Sequence, residues 1–235
     1  MKPSPRTLIV VPTFNEAENL KRLVDALRRS LPGADVLVVD DASPDGTGKL
    51  AAELAGSDAQ VHALRRPAKL GLGSAYVAGF AWGLERGYAR FFEMDADFSH
   101  DPGTLPAFVE ALDAGADVVV GSRSVVGGGV VGWGLGRHLL SKGGSLYSRL
   151  VLGVGVRDMT TGFKAYTRSA LERIDIASIR SNGYAFQIET TYRALKSGLR
   201  VVEVPIVFVD RRVGRSKMTG RDVLEAVLGV PRMRR

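Results

Sequence analysis

Two carboxylates, Asp95 and Asp97, are separated by one residue and directly follow a predicted strand at residues 90–94. No lysine or arginine stands between or beside them. Hard oxygen ligands held this close at the end of a strand suit Mg²⁺ or Mn²⁺ that bridges phosphates. The alternative is a helix-capping cluster, because Ser99 or Asp101 can cap the helix predicted to follow. The pair therefore predicts either a metal and phosphate site or a cap.

A second acidic pair, Asp40 and Asp41, follows the apolar residues 36–39. One carboxylate at the end of a strand commonly contacts the ribose or the base edge of a nucleotide. The same pair could instead form a turn, because the turn-rich residues 43–46 come next. Since both acidic pairs end strands, the two together favour a nucleotide site over two unrelated turns.

Two glycine-containing segments do not match phosphate-binding loops. Residues 46–50 lack the first glycine of the P-loop pattern and have Leu50 where Ser or Thr must bind the metal. Residues 71–76 have Tyr76 at the position of the third glycine of GxGxxG. A dinucleotide-dependent dehydrogenase is therefore disfavoured.

Arginines form the basic part of the pattern. Arg123 ends a predicted strand, Arg137 follows a glycine-rich segment, and residues 211–217 form a basic loop that contains Gly and Ser. Arginine suits bidentate contact with phosphate, and the loop could fold over an anionic ligand. The alternative for the loop is a solvated charged surface.

Apolar, β-branched segments alternate with amphipathic helical segments. This alternation predicts a mostly parallel sheet with helices on both faces, and ligands bind such sheets at the carboxyl ends of the strands. Asn15 and Glu18 predict a capping box for the first helix, and the glycines of residues 127–136 predict a loose segment. The predicted strands are residues 7–11, 36–39, 60–64, 90–94, 117–120, 163–166, 200–204 and 206–209. The predicted helices include residues 47–54 and residues 138–152.

The composition of the chain is that of a globular domain. Its 235 residues are 45% hydrophobic and 24% charged and include no cysteine, which excludes disulfides and thiol catalysis. No apolar run reaches the roughly 18–20 residues of a membrane span. The formal charge of +7 is concentrated in residues 211–235, with 8 basic and 2 acidic side chains. This basic end predicts an anionic contact, but acidic strand ends disfavour nucleic acid.

Eight segments, taken in chain order, carry a family resemblance. They are residues 11–19, 39–47, 70–76, 95–102, 121–123, 161–164, 186–189 and 211–217. Together they resemble the dolichyl-phosphate or polyprenyl-phosphate mannosyltransferases, which are inverting family 2 glycosyltransferases with the GT-A fold. The acidic pairs occur across the wider family. The Ser-Pro-Asp-Gly-Thr turn at residues 43–47 and the Arg-x5-Lys loop are more specific to the polyprenyl-phosphate branch.

The resemblance implies a donor site for GDP-mannose. Asp95, Ala96 and Asp97 would lie at the diphosphate, with Asp97 and Asp95 as ligands of Mg²⁺ or Mn²⁺. Some members of the family have Gln where this chain has Ser99, whose shorter hydroxyl would reach the ion through water. The guanosine part would be held by Pro12, Phe14, Glu16, Val39 and Asp41.

The resemblance also implies roles for residues later in the chain. Arg123 and Arg137 would bind the acceptor phosphate. Arg211 and Lys217 would close over the diphosphate, and with Asp97 they form the implied catalytic set. Two polar residues are candidates either for contacts with sugar hydroxyls or for core hydrogen bonds, namely Gln187 and Glu189.

The implied reaction is a direct displacement at the anomeric carbon of mannose. It proceeds with inversion and gives polyprenyl-phosphate mannose, a lipid-linked sugar donor. Since the acceptor phosphate is already anionic at neutral pH, a strong general base is unnecessary. The alternatives are a polyprenyl-phosphate glucosyltransferase that uses UDP-glucose and a non-catalytic nucleotide-sugar-binding protein.

The expected chain is a single α/β domain with the Rossmann-like GT-A fold and without transmembrane helices. Residues 1–220 would form the catalytic domain, and residues 221–235 a basic amphipathic helix. That helix could lie on an anionic membrane leaflet or pack as an ordinary C-terminal helix. The expected location is the cytosolic face of a membrane, in peripheral contact with its surface. A separate membrane-anchoring subunit is an open option, and no nucleic acid is expected.

Overall fold

The structure is a computed structural model, and we describe residues 5–210 and 220–234 apart from the side chains of residues 135, 137 and 221–226. The strands of these residues are β1 Thr7–Thr13, β2 Ala34–Asp40, β3 Val61–Arg65, β4 Arg90–Glu93, β5 Val118–Ser122, β6 Gly129–Val131, β7 Lys164–Thr167, β8 Val201–Pro205 and β9 Val207–Val209. The α-helices are α1 Ala17–Ser30, α2 Thr47–Ser57, α3 Leu72–Glu85, α4 Leu105–Asp113, α5 Leu135–Leu152, α6 Arg168–Arg173, α7 Gly183–Lys196 and α8 Gly220–Met233.

Seven of the strands form one mostly parallel sheet, in the order β3-β2-β1-β4-β7-β5-β8. β1 pairs in parallel with both β2 and β4, and β2 with β3. Parallel neighbours present their carboxyl ends at one edge of the sheet, so the loops after β1, β2 and β4 lie side by side. The predicted parallel sheet is therefore confirmed in this half of the chain. β7 is the exception, because it runs antiparallel to both β4 and β5.

Alternate residues of the central strand β1 reach two separate cores. Leu8 and Val10 pack on one face of the sheet in the same cluster as Phe80 of α3. Ile9 and Val11 pack on the other face, with apolar residues of α1 and α4. Since successive side chains of a strand point to opposite faces, a wholly apolar strand requires helices on both sides. The predicted helices on both faces of the sheet are thus confirmed.

Helix α3 approaches the sheet closely at Gly79. A Cβ atom built at this glycine would lie 2.4 Å from Val10 Cγ1 and 3.3 Å from Val39 Cγ2. The absence of a side chain therefore sets the distance between the helix and the sheet. The loop that enters α3 is held beside the end of β2, where its backbone contacts Asp41.

The predicted capping box at the start of α1 is wrong. The helix begins at Ala17, after Glu16, and Asn15 has a left-handed backbone with φ of 56°. The Glu16 and Ala17 N–H groups donate to Thr47 Oγ1 at 2.9 Å and to Asp45 Oδ2 at 3.1 Å. Because β1 and β2 are parallel neighbours, the loop after β2 reaches this helix terminus and supplies the acceptors in place of Asn15.

The glycine-rich residues 127–136 are more regular than predicted. They contain the short strand β6, which pairs in parallel with β9 as a second, two-stranded sheet. α5 follows at Leu135, three residues earlier than predicted. The second sheet contacts the acidic loop after β4, because the Val209 N–H of β9 donates to Ser99 O at 3.1 Å.

The C-terminal helix α8 packs against α5 and α7. Val230 is fully buried, and the Tyr147 hydroxyl donates to the main-chain oxygen of Val227 at 2.9 Å. Val227 and Leu228 remain half exposed. The helix therefore packs on the domain and still presents apolar side chains to solvent. Within the described parts of the chain, none of the helices combines the length and the apolar character needed to span a membrane.

Candidate active site

Three loops at one edge of the sheet contain non-glycine residues in the left-handed backbone region. Asn15 follows β1 with φ of 56°, Ala42 follows β2 with φ of 54°, and Phe98 follows β4 with φ of 57°. Such a conformation costs about 1–3 kcal/mol and concentrates at functional sites. Since β1, β2 and β4 are parallel neighbours, the three strained loops identify this edge as the candidate active site.

Asp40 joins two of these loops. Its Oδ1 accepts a hydrogen bond from Thr13 Oγ1 at 3.0 Å, and its Oδ2 accepts one from Ser43 N–H at 3.1 Å. Ser43 Oγ in turn accepts from Asn15 N–H at 3.0 Å. The buried Asp40 carboxylate thus organises the edge of the site, which is the turn-forming alternative considered for this acidic pair.

Asp41 has a different environment from its neighbour. Its Oδ1 lies 2.7 Å from Nε of the buried Arg66, and its Oδ2 accepts from the Leu70 and Gly71 N–H groups at 3.0 and 3.2 Å. Burial raises the pKa of Asp41, although Arg66 and the two N–H groups oppose this shift. The role of Arg66 could not be predicted from the sequence, where its only signal is its position directly after β3, the strand that pairs with β2. The nucleoside contact of Asp41 stays a prediction.

The other residues expected at the guanosine lie at the same edge. Pro12 of β1 and Val39 of β2 are direct register partners. The Phe14 ring lies 4.3 Å from Lys69 Nζ, measured to its centroid, and Glu16 directly precedes α1. The fold therefore brings the five predicted nucleoside contacts together, although they come from two strands and two loops.

The acidic loop after β4 contains buried polar atoms. The Tyr76 hydroxyl donates to Asp95 Oδ1 at 3.3 Å, and Asp97 Oδ1 accepts from Ser99 N–H at 3.0 Å. Ala96 between the two carboxylates is buried. Ser99 is 1% exposed, and its hydroxyl has no hydrogen-bond partner among the described residues. A buried hydroxyl without a partner costs free energy, which suggests a ligand at this position.

These oxygens fit part of the coordination shell of Mg²⁺ or Mn²⁺. Such ions take about six oxygen ligands and usually keep water and substrate phosphates among them. In the described ranges, no group of three or more His, Asp or Glu side chains could hold a metal ion. Asp95, Asp97 and the Ser99 hydroxyl therefore fit an ion that is shared with a bound diphosphate rather than held by protein alone.

His100 directly follows Ser99 of this loop and is buried. Its ring packs 5.0 Å from Phe163 and 5.2 Å from Phe208 between centroids, and its Nε2 is 3.8 Å from Asp95 Oδ2. Burial lowers the pKa of His100 to about 4. The imidazole is therefore neutral at pH 7 and adds no positive charge beside the carboxylates.

Arg123, predicted to bind the acceptor phosphate, forms a buried ion pair with Asp158. Arg123 Nε and Nη2 each donate to the carboxylate at 2.7 Å, and Nη2 also donates to Thr160 Oγ1 at 2.9 Å. The exposed fractions of the two side chains are 7% and 1%. An acceptor phosphate would have to share this guanidinium with Asp158, a partner that the sequence did not predict. The phosphate contact of Arg123 stays a prediction.

Gln187 and Glu189 point in different directions from α7. Gln187 is buried, and its Oε1 accepts from Lys164 Nζ at 2.6 Å, which is the core hydrogen bond left open as an alternative. Glu189 accepts from Ser181 Oγ at 2.6 Å and pairs with Arg193 at 2.5 Å. Residues two apart on a helix face different sides. Gln187 and Glu189 therefore cannot both contact one sugar from the same side of α7.

Three further predicted residues cannot be placed in this site. Arg211 and Lys217 lie outside the described residues, and so does the side chain of Arg137, although its backbone belongs to α5.

The chain belongs to glycosyl transferase family 2, whose family model matches residues 8–175. It is 51% identical over 231 residues to the polyprenol monophosphomannose synthase of Mycolicibacterium smegmatis, covering 98% of this chain and 87% of that protein. It is 52% identical over 227 residues to the undecaprenyl-phosphate mannosyltransferase of Micrococcus luteus, covering 97% of this chain and 93% of that protein.

Solved structures share the fold at low sequence identity. The glucosyl-3-phosphoglycerate synthase of Mycobacterium tuberculosis, in complex with phosphoglyceric acid, superposes with a TM-score of 0.75 at 19% identity, covering 99% of this chain and 81% of that one. A second structure of that synthase contains Mn²⁺, UDP and glucosyl-3-phosphoglycerate and gives a TM-score of 0.72 at 20% identity, with the same coverage. The predicted GT-A fold is confirmed, and the chain is a glycosyltransferase.

Proposed function

We propose that this protein transfers the mannosyl group of GDP-mannose to a polyprenyl phosphate, with inversion at the anomeric carbon. The observation that carries the proposal is identity above 50% over nearly the whole chain to two proteins named for this lipid-phosphate chemistry. The product is polyprenyl-phosphate mannose. The buried acidic edge, with its strained loops, supplies the proposed donor site.

In the proposed reaction, an oxygen of the acceptor phosphate forms a bond to the anomeric carbon. The bond from that carbon to the diphosphate breaks, and GDP leaves with the bonding electron pair. Since the attacking oxygen is already an anion, no side chain has to remove a proton from it. This agrees with a site in which the buried His100 is neutral and Asp95 and Asp97 are assigned to a metal ion.

The negative charge on the departing diphosphate must be stabilised. Asp95, Asp97 and Ser99 would hold Mg²⁺ or Mn²⁺, and the ion would neutralise part of that charge. Arg211 and Lys217, which lie outside the described residues, are proposed to neutralise the same charge. Pro12, Phe14, Glu16, Val39 and Asp41 are proposed to hold the guanosine.

An apolar groove lies close to the proposed acceptor arginine. Its volume is about 260 Å³, and it runs between α5, α7 and α8, where Leu140, Tyr147, Ile188 and Val230 line it. Thr160, which accepts the hydrogen bond from Arg123, also lines the groove. A lipid phosphate has this combination of an anionic head and an apolar tail. The groove therefore supports Arg123, with Arg137 of α5, as the proposed acceptor site.

The outer face of α5 supports contact with a membrane surface. Leu139, Leu146 and Leu150 are 72%, 53% and 73% exposed, and their spacing places them on one side of the helix. Lys142 lies between them in sequence. An exposed apolar stripe with basic neighbours suits an anionic leaflet. We therefore propose a peripheral position on the cytosolic face of a membrane, with residues 1–220 as the catalytic unit and residues 221–235 towards the lipid. An anchoring subunit is compatible with this position.

A transfer assay tests the proposal. Purified protein, Mn²⁺ or Mg²⁺, a short polyprenyl phosphate and either radiolabelled GDP-mannose or UDP-glucose are incubated, and lipid-soluble label is counted. We expect label from GDP-mannose, and a loss of roughly a hundredfold or more in Asp97→Ala, the scale of removing a key charge stabiliser. Asp25→Ala, at an exposed position of α1, is the matched control and should retain activity. Turnover with UDP-glucose alone, or full activity of Asp97→Ala, would contradict the proposal.

A further inference from the structure

A cavity between α7 and α8 is lined by arginines that the proposed reaction does not use. Its volume is about 740 Å³, within the range of about 300–1,000 Å³ that is typical of small-molecule sites. Arg180 precedes α7, Arg193 lies on α7, and Arg232 lies in the last turn of α8. We call this cavity the arginine pocket. Glu189 is the one acidic side chain among its described lining residues, so the lining carries a net positive charge.

Two of the four charges in the arginine pocket compensate each other. Glu189 pairs with Arg193 at 2.5 Å and accepts a hydrogen bond from Ser181 Oγ at 2.6 Å. Arg193 also donates from Nη1 to Ser178 Oγ at 2.6 Å. Because protein groups already hold both ends of this guanidinium, Arg193 supplies the pocket with no free charge for a ligand.

Arg180 and Arg232 keep positive charges that no carboxylate compensates within the described residues. Arg180 donates from Nη1 to the main-chain oxygens of Ala177 and Ile179 at 2.6 and 3.1 Å, and these acceptors are neutral. Both arginines are exposed residues. A guanidinium presents a planar set of N–H donors that suits two oxygens of one phosphate. The two free arginines therefore match an anionic phosphate group.

The walls of the arginine pocket are apolar. Ala185 and Tyr192 of α7 are buried, and Leu228 of α8 is 54% exposed. A free phosphate ion would leave these walls in contact with water, which is unfavourable for apolar surface. A phospholipid matches both parts of the pocket, since its phosphate meets the arginines and its glycerol and acyl groups meet the walls.

Helix α8 separates the arginine pocket from the apolar groove that is proposed for the prenyl tail. Leu228 lines the pocket, whereas the preceding residue, Val227, lines the groove. Both side chains are about half exposed. A bilayer that supplies a prenyl tail to the groove would therefore also meet the pocket on the other side of the same helix.

We propose that the arginine pocket binds the phosphodiester of an anionic phospholipid, as a lipid site separate from the acceptor groove. Arg180 and Arg232 contact the phosphate, and Leu228 contacts the acyl chain. A zwitterionic phospholipid binds less tightly, because its own ammonium group compensates the phosphate. The bound lipid fixes the orientation of α8, and with it the groove, at the bilayer surface. The inference rests on the proposed peripheral membrane position, which brings the pocket to the lipid.

A soluble phospholipid tests this site without a membrane. Dihexanoyl-phosphatidylglycerol is titrated into the full-length protein below its critical micelle concentration, and Kd is measured by calorimetry. We expect saturable binding of one lipid per chain, and weaker binding of dihexanoyl-phosphatidylcholine. Arg232→Gln and Arg180→Gln should each raise Kd roughly 10-fold or more, the scale of one hydrogen bond to a charged group. Arg232→Gln decides by itself if Arg180→Gln does not fold, because Arg232 is exposed.

Lys142→Gln is the matched control, since it removes one positive charge from an exposed position of α5 that does not line the pocket. It should bind the soluble lipid as the wild type does. The inference is overturned if binding is not saturable, if Lys142→Gln weakens it as much as Arg232→Gln, or if inorganic phosphate binds as tightly as the lipid. Displacement of phosphatidylglycerol by a short polyprenyl phosphate would also overturn it, because the pocket would then belong to the acceptor.

The outcome of this titration is separate from that of the proposed function. The assay contains no sugar nucleotide, so a protein that uses UDP-glucose instead of GDP-mannose would still give the expected Kd values. A protein that binds the soluble lipid but does not sediment with anionic vesicles would overturn the membrane position and support the lipid site.

Discussion

Replacing Asp158 by Asn is expected to lower the free energy of unfolding by about 3–5 kcal/mol at pH 7. The Asp158 carboxylate accepts from the Arg123 backbone N–H at 2.9 Å and from Nε and Nη2 at 2.7 Å each. Asparagine has nearly the same shape and retains one oxygen acceptor. It removes the negative charge, however, so a guanidinium that is only 7% exposed would stay buried without its counter-charge.

The lower stability of Asp158→Asn should be measurable by thermal unfolding. For a chain of this size, 1 kcal/mol corresponds to about 2–4 °C in Tm. The expected decrease is therefore about 6–20 °C, measured by circular dichroism, together with a lower urea midpoint at an unchanged m value.

The pH dependence provides an independent test of the same pair. Burial alone would raise the pKa of Asp158, but the hydrogen bonds and charge of Arg123 outweigh it, and the pKa lies below the ordinary value of 3.8. A depressed carboxyl pKa contributes stability that is fully present above the unfolded pKa. It is lost as pH falls through the lower folded pKa. The difference in unfolding free energy between wild type and Asp158→Asn should therefore be constant from about pH 8 to 5. It should become smaller below about pH 4.

Asp25→Asn is the control for removing a carboxylate from an ion pair. Asp25 lies 2.9 Å from Lys21, and the two side chains are 44% and 64% exposed. Exposed pairs contribute about 0–1 kcal/mol, so this variant should be nearly as stable as the wild type. The reasoning is refuted if Asp158→Asn costs no more than Asp25→Asn, or if its cost changes strongly between pH 5 and 8.

Two further predictions concern packing and the membrane. Gly79→Ala should lower the unfolding free energy by about 1–3 kcal/mol, because the new Cβ would lie 2.4 Å from Val10 Cγ1, whereas Gly56→Ala, with nothing within 4 Å, should stabilise α2. Equal effects in denaturant titrations would contradict this packing argument. The double variant Leu139→Glu and Leu150→Glu should reduce co-sedimentation with anionic vesicles at least severalfold, because both side chains are exposed on α5. Unchanged sedimentation would remove α5 from the proposed membrane surface.

Most of the regular elements could be predicted from periodicity, because helices and parallel strands repeat local patterns. The apolar residues 7–11 become β1, and the helix predicted at residues 47–54 becomes α2. The cap of α1 could not be predicted in this way. Its acceptors, Asp45 and Thr47, come from a loop about thirty residues later that only the pairing of β1 with β2 brings near.

The antiparallel direction of β7 could not be predicted from the sequence either. Its four residues, Lys164–Thr167, carry no signal of strand direction, and pairing with β4 and β5 is a property of the whole sheet. The strand β6 was missed for a related reason. Three residues that begin with a glycine carry almost no strand pattern of their own, and they become a strand because β9 lies beside them.

By itself, the sequence determined the alternation of strands and helices and the acidic residues that end the strands. Those features depend on neighbouring residues, and strand ends of a parallel sheet necessarily meet at one edge. Only the tertiary structure decided the partners of the charged groups. Asp41 with Arg66, Arg123 with Asp158, and Lys164 with Gln187 are separated by 23 to 35 residues. Such pairs form because burial requires each charge or amide to find a partner, and the folded chain, not local spacing, determines which partner is within reach.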